Sequence, residues 1–318
     1  KAIEALNIAY DPSTHTVLFE GDDTFLKGMD MKNEVYTLQI RTKVIEEVGK
    51  DEQIVNSAKV TINNQDKETN QVTNTTTLPT GKITLTKTTN QPVGVKKDTN
   101  DVVDFQWDTL PQGEVVYRVT AHKEIVFPNG EVVAQQGADF GTITTDNHGE
   151  ATIKELYAGE YAFTEISAPA GIQINQEPVI VTLLIPDKGG PLEARVQHED
   201  QLQQVNLKIH KVFQEDNGSY SAADGAVFGL FYGETYKFSE QDRIEADALV
   251  SKIEIFNGVG SYTGVLLPNQ AYYIRELTTR PEYKLKDQRF EFVYMPTSND
   301  SLHEIQLFEN GWTENGQR

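Results

Sequence analysis

Apolar and polar residues alternate with a period of two along most of this sequence, and that feature restricts the chain to half-buried strands. YTLQIRTKVIEE (36–47), KITLTK (82–87), EVVYRVTAHKEI (114–125), EPVIVTLLI (177–185) and VNLKIHKVF (205–213) all read this way. The fold class expected is all-β. Gly, Asn and Asp stand between the runs, and TTDNHGEA (144–151), ELYAGEYAF (155–163) and LLPNQAYYI (266–274) carry turn chemistry that predicts antiparallel hairpins. A chain of 318 residues has room for two domains of about 150 residues or three small β-modules.

Charge and cysteine content remove several functions. With 28 Lys+Arg against 48 Asp+Glu the net charge is −20, so nucleic acid and anionic membrane surfaces are repelled. No run approaches the roughly 18 to 20 apolar residues of a membrane span, and no membrane partner is expected within this chain. Cysteine is absent, which excludes disulfides, zinc-thiolate sites and thiol nucleophiles. An extracellular chain of this kind needs good cores, a metal or a different covalent cross-link. The opening KAIEALNIAY has no basic stretch followed by an apolar one, so no secretory leader is read there; either none exists or the chain is a fragment.

Composition places two joints. NNQDKETNQVTNTTTLPTG (63–81) is polar and lacks apolar periodicity, as a linker or long exposed connection would. HEDQLQQ (198–204) is short and should hold its neighbours end to end. The expected partition is 1–80, 81–203 and 204–318.

The second and third segments share landmarks. Each opens on a strand whose apolar face ends in lysine: Ile83, Leu85 and Lys87 in one, Val205, Leu207, Ile209 and Lys211 in the other. Each later has a tyrosine-bearing strand whose face ends in glutamate: Tyr161, Phe163 and Glu165, then Tyr272, Ile274 and Glu276. Each closes on a strand that supplies a carboxylate or carboxamide. Ala194, Val196, His198 and Asp200 share one face; Phe308 and Asn310 share another, with Ile305 and Leu307 opposite, so that a bulge is needed to bury all of them. Glu165 precedes Asp200 by 35 positions and Glu276 precedes Asn310 by 34. Charge in phase with an apolar face must be compensated, because an unpaired buried ion costs several kcal/mol or shifts its pKa until it is neutral.

A β-module with an early in-facing Lys, a Y-x-x-x-E strand and a terminal Asn or Asp resembles the collagen-adhesin B-type (Cna-B) domain, of SpaA-like or prealbumin-like fold, found in Gram-positive pilins and surface adhesins. YAFTEISAPAG (161–171) is similar to that family's Y-x-x-x-E strand with its Ala-Pro-x-Gly turn, and TTDNHGEATIKELYAGEY (144–161) to the run-up. GAVFGLF (225–231) and YYIREL (272–277) match in the third segment, where TTRPEY replaces the turn. In the first, YTLQIRTKVIEE and IVNSAKVTINN (54–64) are similar to the closing strands of an A-type fimbrial isopeptide-forming domain. Its Lys would precede residue 1, so the chain is expected to begin mid-domain, with Asn56 as that domain's cross-linking residue.

The resemblance implies tandem immunoglobulin-like or prealbumin-like β-sandwich modules arranged end to end, and a self-catalysed amide between a Lys amine and an Asn or Asp side chain. Desolvation favours a neutral, nucleophilic amine and a protonated Glu that polarises the carbonyl and shuttles protons. Lys87 and Asp200 would be joined with Glu165 as catalyst, and Lys211 and Asn310 with Glu276. Each site reacts once, so the chain is not a turnover enzyme. An ordinary buried Lys–Glu ion pair is the alternative at either site.

The function so implied is the extracellular stalk of a cell-wall-anchored adhesin or pilin-associated protein, a monomer displayed at the cell surface with other pilus subunits or a host extracellular-matrix protein as partners. The rival readings are a module that itself binds collagen or fibrinogen, and a glycan-binding module. Trp107, Tyr220, Phe228, Phe231, Tyr232, Tyr236 and Phe238 would serve either, though strand packing accounts for them more simply. Asp146, Asn147 and Glu150 lack calcium-loop spacing, the six His residues are scattered, and His198 reads as a packing residue, so no metal or cofactor is expected. A sortase-type YPK strand has no convincing counterpart, IVFPNGE (125–131) being the nearest stretch, so a polymerising backbone pilin is not indicated.

Overall fold

The computed structural model describes residues 6–29, 37, 40, 51–96, 102–186, 190–308 and 311–314, in two compact units, Lys1–Glu47 and Val48–Arg318. The strand expected over 36–47 lies almost wholly outside the described residues. In the first unit Leu6–Asp11 and Thr16–Gly21 form an antiparallel hairpin, followed by the short helix Asp23–Lys27, whose N-cap Asp22 accepts from Phe25 N at 2.8 Å.

The second unit opens on a long exposed hairpin where the sequence suggested a linker: Gln53–Asn56 pairs Val72–Thr75, and Lys59–Ile62 pairs Gln65–Glu68. Asn63 and Asn64 turn it with φ of 53° and 56°, the left-handed pair that a two-residue hairpin loop needs. Its polar composition reflects exposure on both faces, which removes the alternation used to recognise strands.

The remainder is a pair of β-sandwiches of four-stranded sheets. One sheet of the first sandwich orders Glu150–Leu156, Gly81–Lys96 and Glu193–Asp200, with Asp104–Pro111 on the far half of Gly81–Lys96; the other orders Asp139–Thr144, Val116–Ala121, Gly159–Ser167 and Val179–Leu183. Ile83, Leu85, Tyr117, Val119, Phe163 and Leu183 are fully buried between them. The next sandwich repeats the scheme with Val259–Gly264, Gln204–His210, Leu302–Phe308 and Gly311–Glu314 facing Leu249–Glu254, Val227–Tyr232, Gln270–Thr278 and Arg289–Tyr294.

In each sandwich the opening strand has a late strand as its parallel neighbour: Lys87 lies opposite His198 and Asp200 opposite Thr89, and Ile209 lies opposite Leu307. Parallel neighbours require a long crossover, and the rest of each module supplies it.

The three expected hairpins are corrected by this topology. The turns at 144–151, 155–163 and 266–274 each carry the chain from one sheet to the other, and the strands they join do not pair. Their residue chemistry is as read: Asp146 Oδ1 accepts from His148 N and Glu150 N, and Glu155 and Asn269 hold φ of 61° and 58°. Turn residues set the local backbone; the sheet that each strand joins is decided by distant partners.

Candidate functional site

The Gly81–Lys96 strand presents Ile83, Leu85, Lys87 and Thr89 inward, each 0% exposed. Lys87 is therefore carried into the core by the same alternation that buries its apolar neighbours. Its backbone is fixed by Lys87 N donating to Gly149 O at 2.7 Å and Gln112 N donating to Lys87 O at 2.9 Å. Gly149 has φ of 73°, and a Cβ there would lie 2.2 Å from Lys87 O, so only glycine lets the 144–151 turn close over the lysine.

Glu165 comes from the facing sheet, on Gly159–Ser167. Tyr161, four residues earlier on the same face, is fully buried and donates its hydroxyl to Tyr157 O at 2.7 Å. Tyr272 stands in the same relation to Glu276, with Leu267 N donating to its hydroxyl at 2.7 Å. The Y-x-x-x-E spacing thus ties a pinned aromatic anchor to an inward carboxyl two strand periods on. Asp200 ends the last strand, opposite Thr89, so its side chain reaches diagonally back to Lys87.

Lys87 Nζ lies 2.5 Å from Asp200 Oδ1, 3.1 Å from His198 Nδ1 and 3.3 Å from Glu165 Oε2. An ammonium has three N–H donors, and three acceptors meet them. Glu165 is 2% and Asp200 4% exposed. Among the described residues neither Glu165 Oε1 nor Asp200 Oδ2 meets a hydrogen-bond donor. Two carboxyl groups thus share one lysine, and burial pushes Glu165 up to about 7, with Lys87 opposing and the Asp200 charge reinforcing the rise. Burial thus favours the protonated form of Glu165.

Two further side chains belong to the site. Tyr117 on the central strand of the facing sheet donates to His198 Nδ1 at 2.6 Å, and burial pushes its hydroxyl far above the ordinary range, with the Glu165 and Asp200 charges adding to the rise. Burial and the Lys87 charge lower His198, which keeps its imidazole neutral. By sequence alone His198 reads as packing and Tyr117 is not singled out. The signal for His198 was its parity with Asp200; nothing local marked Tyr117, which arrives by sheet packing. Glu165, His198 and Asp200 each offer a ligand atom within 4.8 Å of one another, but Lys87 Nζ stands among those atoms, and the group is an ammonium cage.

The third segment brings Lys211 and Glu276 together more loosely, Nζ to Oε1 at 3.7 Å, with the lysine side chain 15% exposed. Glu276 Oε2 accepts from Lys286 N at 3.2 Å. A cavity of about 60 Å³ lies beside the pair, bordered by Ile209, Gln288 and Leu307, with space for a few waters. On Leu302–Phe308 the inward residues are His303, Ile305 and Leu307. The face that sequence reading gave to Phe308 is the outer one, where its ring stacks on His210 with centroids 4.3 Å apart. Asn310 lies outside the described residues. Asn56 is exposed on Gln53–Asn56, opposite Val72.

The family model for the SpaA prealbumin-like fold domain matches residues 41–200. No curated protein matches the sequence. Among solved structures, the TIE protein of Bacillus anthracis is 18% identical with a TM-score of 0.46, over 76% of this chain and 36% of that one. The SpaE basal pilin of Lactobacillus rhamnosus GG is 13% identical with a TM-score of 0.28, over 69% of this chain and 92% of that one. A streptococcal ancillary pilin is 18% identical with a TM-score of 0.28, over 75% of this chain and 65% of that one. The chain thus spans about a third of the length of the Bacillus anthracis protein.

Proposed function

Since the chain belongs to the SpaA prealbumin-like fold domain family, matched over residues 41–200 of 318, we propose that it is part of an extracellular stalk of a wall-anchored adhesin or pilus subunit. Its modules run over 81–203 and 204–318, behind the end of an A-type domain in 1–80. Its partners are other subunits of the same surface structure. The observation that carries this reading is Lys87 Nζ at 2.5 Å from Asp200 Oδ1, fully buried, with Glu165 alongside.

In that geometry the lysine nitrogen attacks Asp200 Cγ, the C–N bond forms, one Cγ–O bond breaks and water leaves. The lysine ammonium gives up two protons, and Glu165 relays them to the departing oxygen, ending protonated as it began. Folding supplies the effective concentration that replaces an external catalyst. The reaction runs once and yields a cross-linked scaffold. Lys211 and Glu276 form the second site with Asn310 as acyl group, and Asn56 is the acyl residue of the A-type domain.

Intact mass under denaturing conditions tests this. An Asp200–Lys87 amide makes the chain about 18 Da lighter than its sequence mass, and a Lys211–Asn310 amide removes about 17 Da more as ammonia. A chain at its full sequence mass would leave both groups as buried ion pairs and sink the stalk reading.

A further inference from the structure

Among the described residues, the contacts of Lys87 Nζ are the Glu165 and Asp200 carboxyl groups and one basic group, the His198 imidazole. We propose that His198 is a catalytic residue, the base that takes the proton from the lysine nitrogen while Glu165 acts as the acid, so that the amide is made by an acid–base pair. The proposal rests on the amide reading of the preceding subsection and deepens it.

The contacts at Nδ1 carry the argument. An ammonium donates only, so the 3.1 Å approach of Lys87 Nζ requires an unprotonated Nδ1 with its lone pair toward the lysine. Tyr117 Oη lies 2.6 Å from the same nitrogen, so the lysine and the phenol share its single lone pair and between them hold the ring. Nδ1 also lies 3.9 Å from Glu165 Oε2. The opposite nitrogen, Nε2, faces Asn175 Nδ2 at 3.5 Å, at the edge of the site, where the His198 side chain is 10% exposed.

The steps balance. Nδ1 first takes one proton from the Lys87 ammonium, and the amine so freed bonds to Asp200 Cγ. Glu165 passes two protons in turn to the departing oxygen, first its own and then the one the imidazolium hands to it across 3.9 Å, so that the C–O bond breaks and water is released. The amide nitrogen gives its surplus proton to the Glu165 carboxylate, which restores both groups with no net proton gained or lost. Without a base beside Nζ, the proton would have to move from nitrogen to Glu165 in the same step in which Glu165 gives one up.

The groups facing His198 are Lys87 from the first strand, Tyr117 and Glu165 from the opposite sheet, and Asp200 from its own strand. A neutral imidazole and a protonated Glu165 are both required, so the rate of amide formation is bell-shaped in pH. It falls on the acid side as His198 takes a proton and on the alkaline side as Glu165 loses one.

The test follows mass loss in the full chain, recovered unreacted from inclusion bodies, refolded between about pH 5 and pH 8 and quenched in acid. His198→Asn keeps an acceptor in place of Nδ1 but has no basicity. It is expected to react about 10²-fold more slowly and to lack the acid limb, while the alkaline limb stays. Reaction at the wild-type rate with the acid limb intact would show that His198 only packs.

A second measurement needs no change at 198: in Glu165→Gln, which does not react, the His198 ring resonances are expected to titrate at the midpoint of the wild-type acid limb. A mismatch overturns the proposal. Wild-type chain that never loses mass defeats the amide reading itself, a result distinct from either of these.

Discussion

Glu165→Gln is expected to abolish the mass deficit of the second segment, returning about 18 Da beyond the roughly 1 Da that the substitution itself removes, and to lower the melting temperature of that sandwich by about 15 to 20 °C. The substitution is nearly isosteric, and a Gln carbonyl still accepts from Lys87, so the Lys87–Asp200 pair and the fold survive while the proton donor is gone. An amide from 87 to 200 closes a loop of 113 residues. Closing a loop of that length restricts the unfolded chain by about 5 kcal/mol in the chain-entropy account used for disulfides.

Stretching separates this from an ordinary destabilisation. In a cross-linked chain tension would enter at Gly81, cross from Lys87 to Asp200 through the amide and leave into the next module, so that the intervening residues would carry no load. A wild-type chain pulled from its ends should lack about 400 Å of contour length, at roughly 3.5 Å per residue, and Glu165→Gln should restore it. Equal contour lengths in the two proteins would rule out the cross-link. Lys87→Met is a poorer test, since it leaves two buried carboxyl groups without their cation, a change that costs about 3 to 5 kcal/mol on its own.

The parity of the strands explains what the sequence made legible. Lys87, Glu165 and Asp200 share phase with Leu85, Phe163 and Val196, and period-two alternation transmits that phase without reference to tertiary partners. The same rule placed Lys211 behind Ile209 and Glu276 behind Ile274. At Phe308 the phase taken from Asn310 runs against that of Ile305 and Leu307, and the structure follows the aliphatic pair: the Phe308 ring covers His210 on the outside of its sheet.

What lay beyond reach depends on pairings between residues far apart in sequence. Turn chemistry at 144–151 could not say that its flanking strands belong to different sheets. Residues 65–75 are polar on both faces and carry no alternation, although they form strands. Nor could local pattern show that the ribbon of Gly81–Lys96 and Asp104–Pro111 runs past its own sandwich, so that Val95, Val103 and Phe105 pack against the core of the next one.

Among the described residues that ribbon is one of two places where the sandwiches hold each other. Along it, Val103 N donates to Leu249 O at 2.8 Å, Val95 N donates to the Asp242 carboxylate at 3.3 Å, and the Phe105 and Phe238 rings meet edge to face. The other is the Ala168–Gly171 turn that follows the Glu165 strand. The joint residues run between this turn and the 298–301 segment: Gln203 N donates to Gly171 O at 2.8 Å, and Gln203, 1% exposed, donates from Nε2 to Asp300 O at 2.7 Å while its Oε1 accepts from Tyr294. Gly171 holds φ of 88°, and a Cβ there would lie 3.0 Å from Pro296 Cγ. The turn that marks the family motif is thus also the socket for the following module.

Asn299 closes that socket, and Asn299→Ala is expected to cost about 2 kcal/mol and to uncouple the two sandwiches. Its two Nδ2 hydrogens reach Pro169 O at 2.8 Å and Ile172 O at 2.9 Å, with Ala168 O sharing at 3.2 Å, while its own backbone oxygen accepts from Ile174 N at 3.3 Å. Truncation leaves these carbonyls to water at a half-buried seam and removes two hydrogen bonds worth about 0.5 to 1.5 kcal/mol net each. The ribbon contact remains, so the variant stays folded, but one contact no longer fixes the orientation that two contacts fix. Calorimetry is expected to resolve the single wild-type transition of residues 81–318 into two, and backbone NMR in an aligning medium to require separate alignment tensors for the two sandwiches. One unsplit transition within about 0.5 kcal/mol of wild type would mean that the ribbon alone holds the pair and that the turn contributes nothing to the rigidity of the stalk.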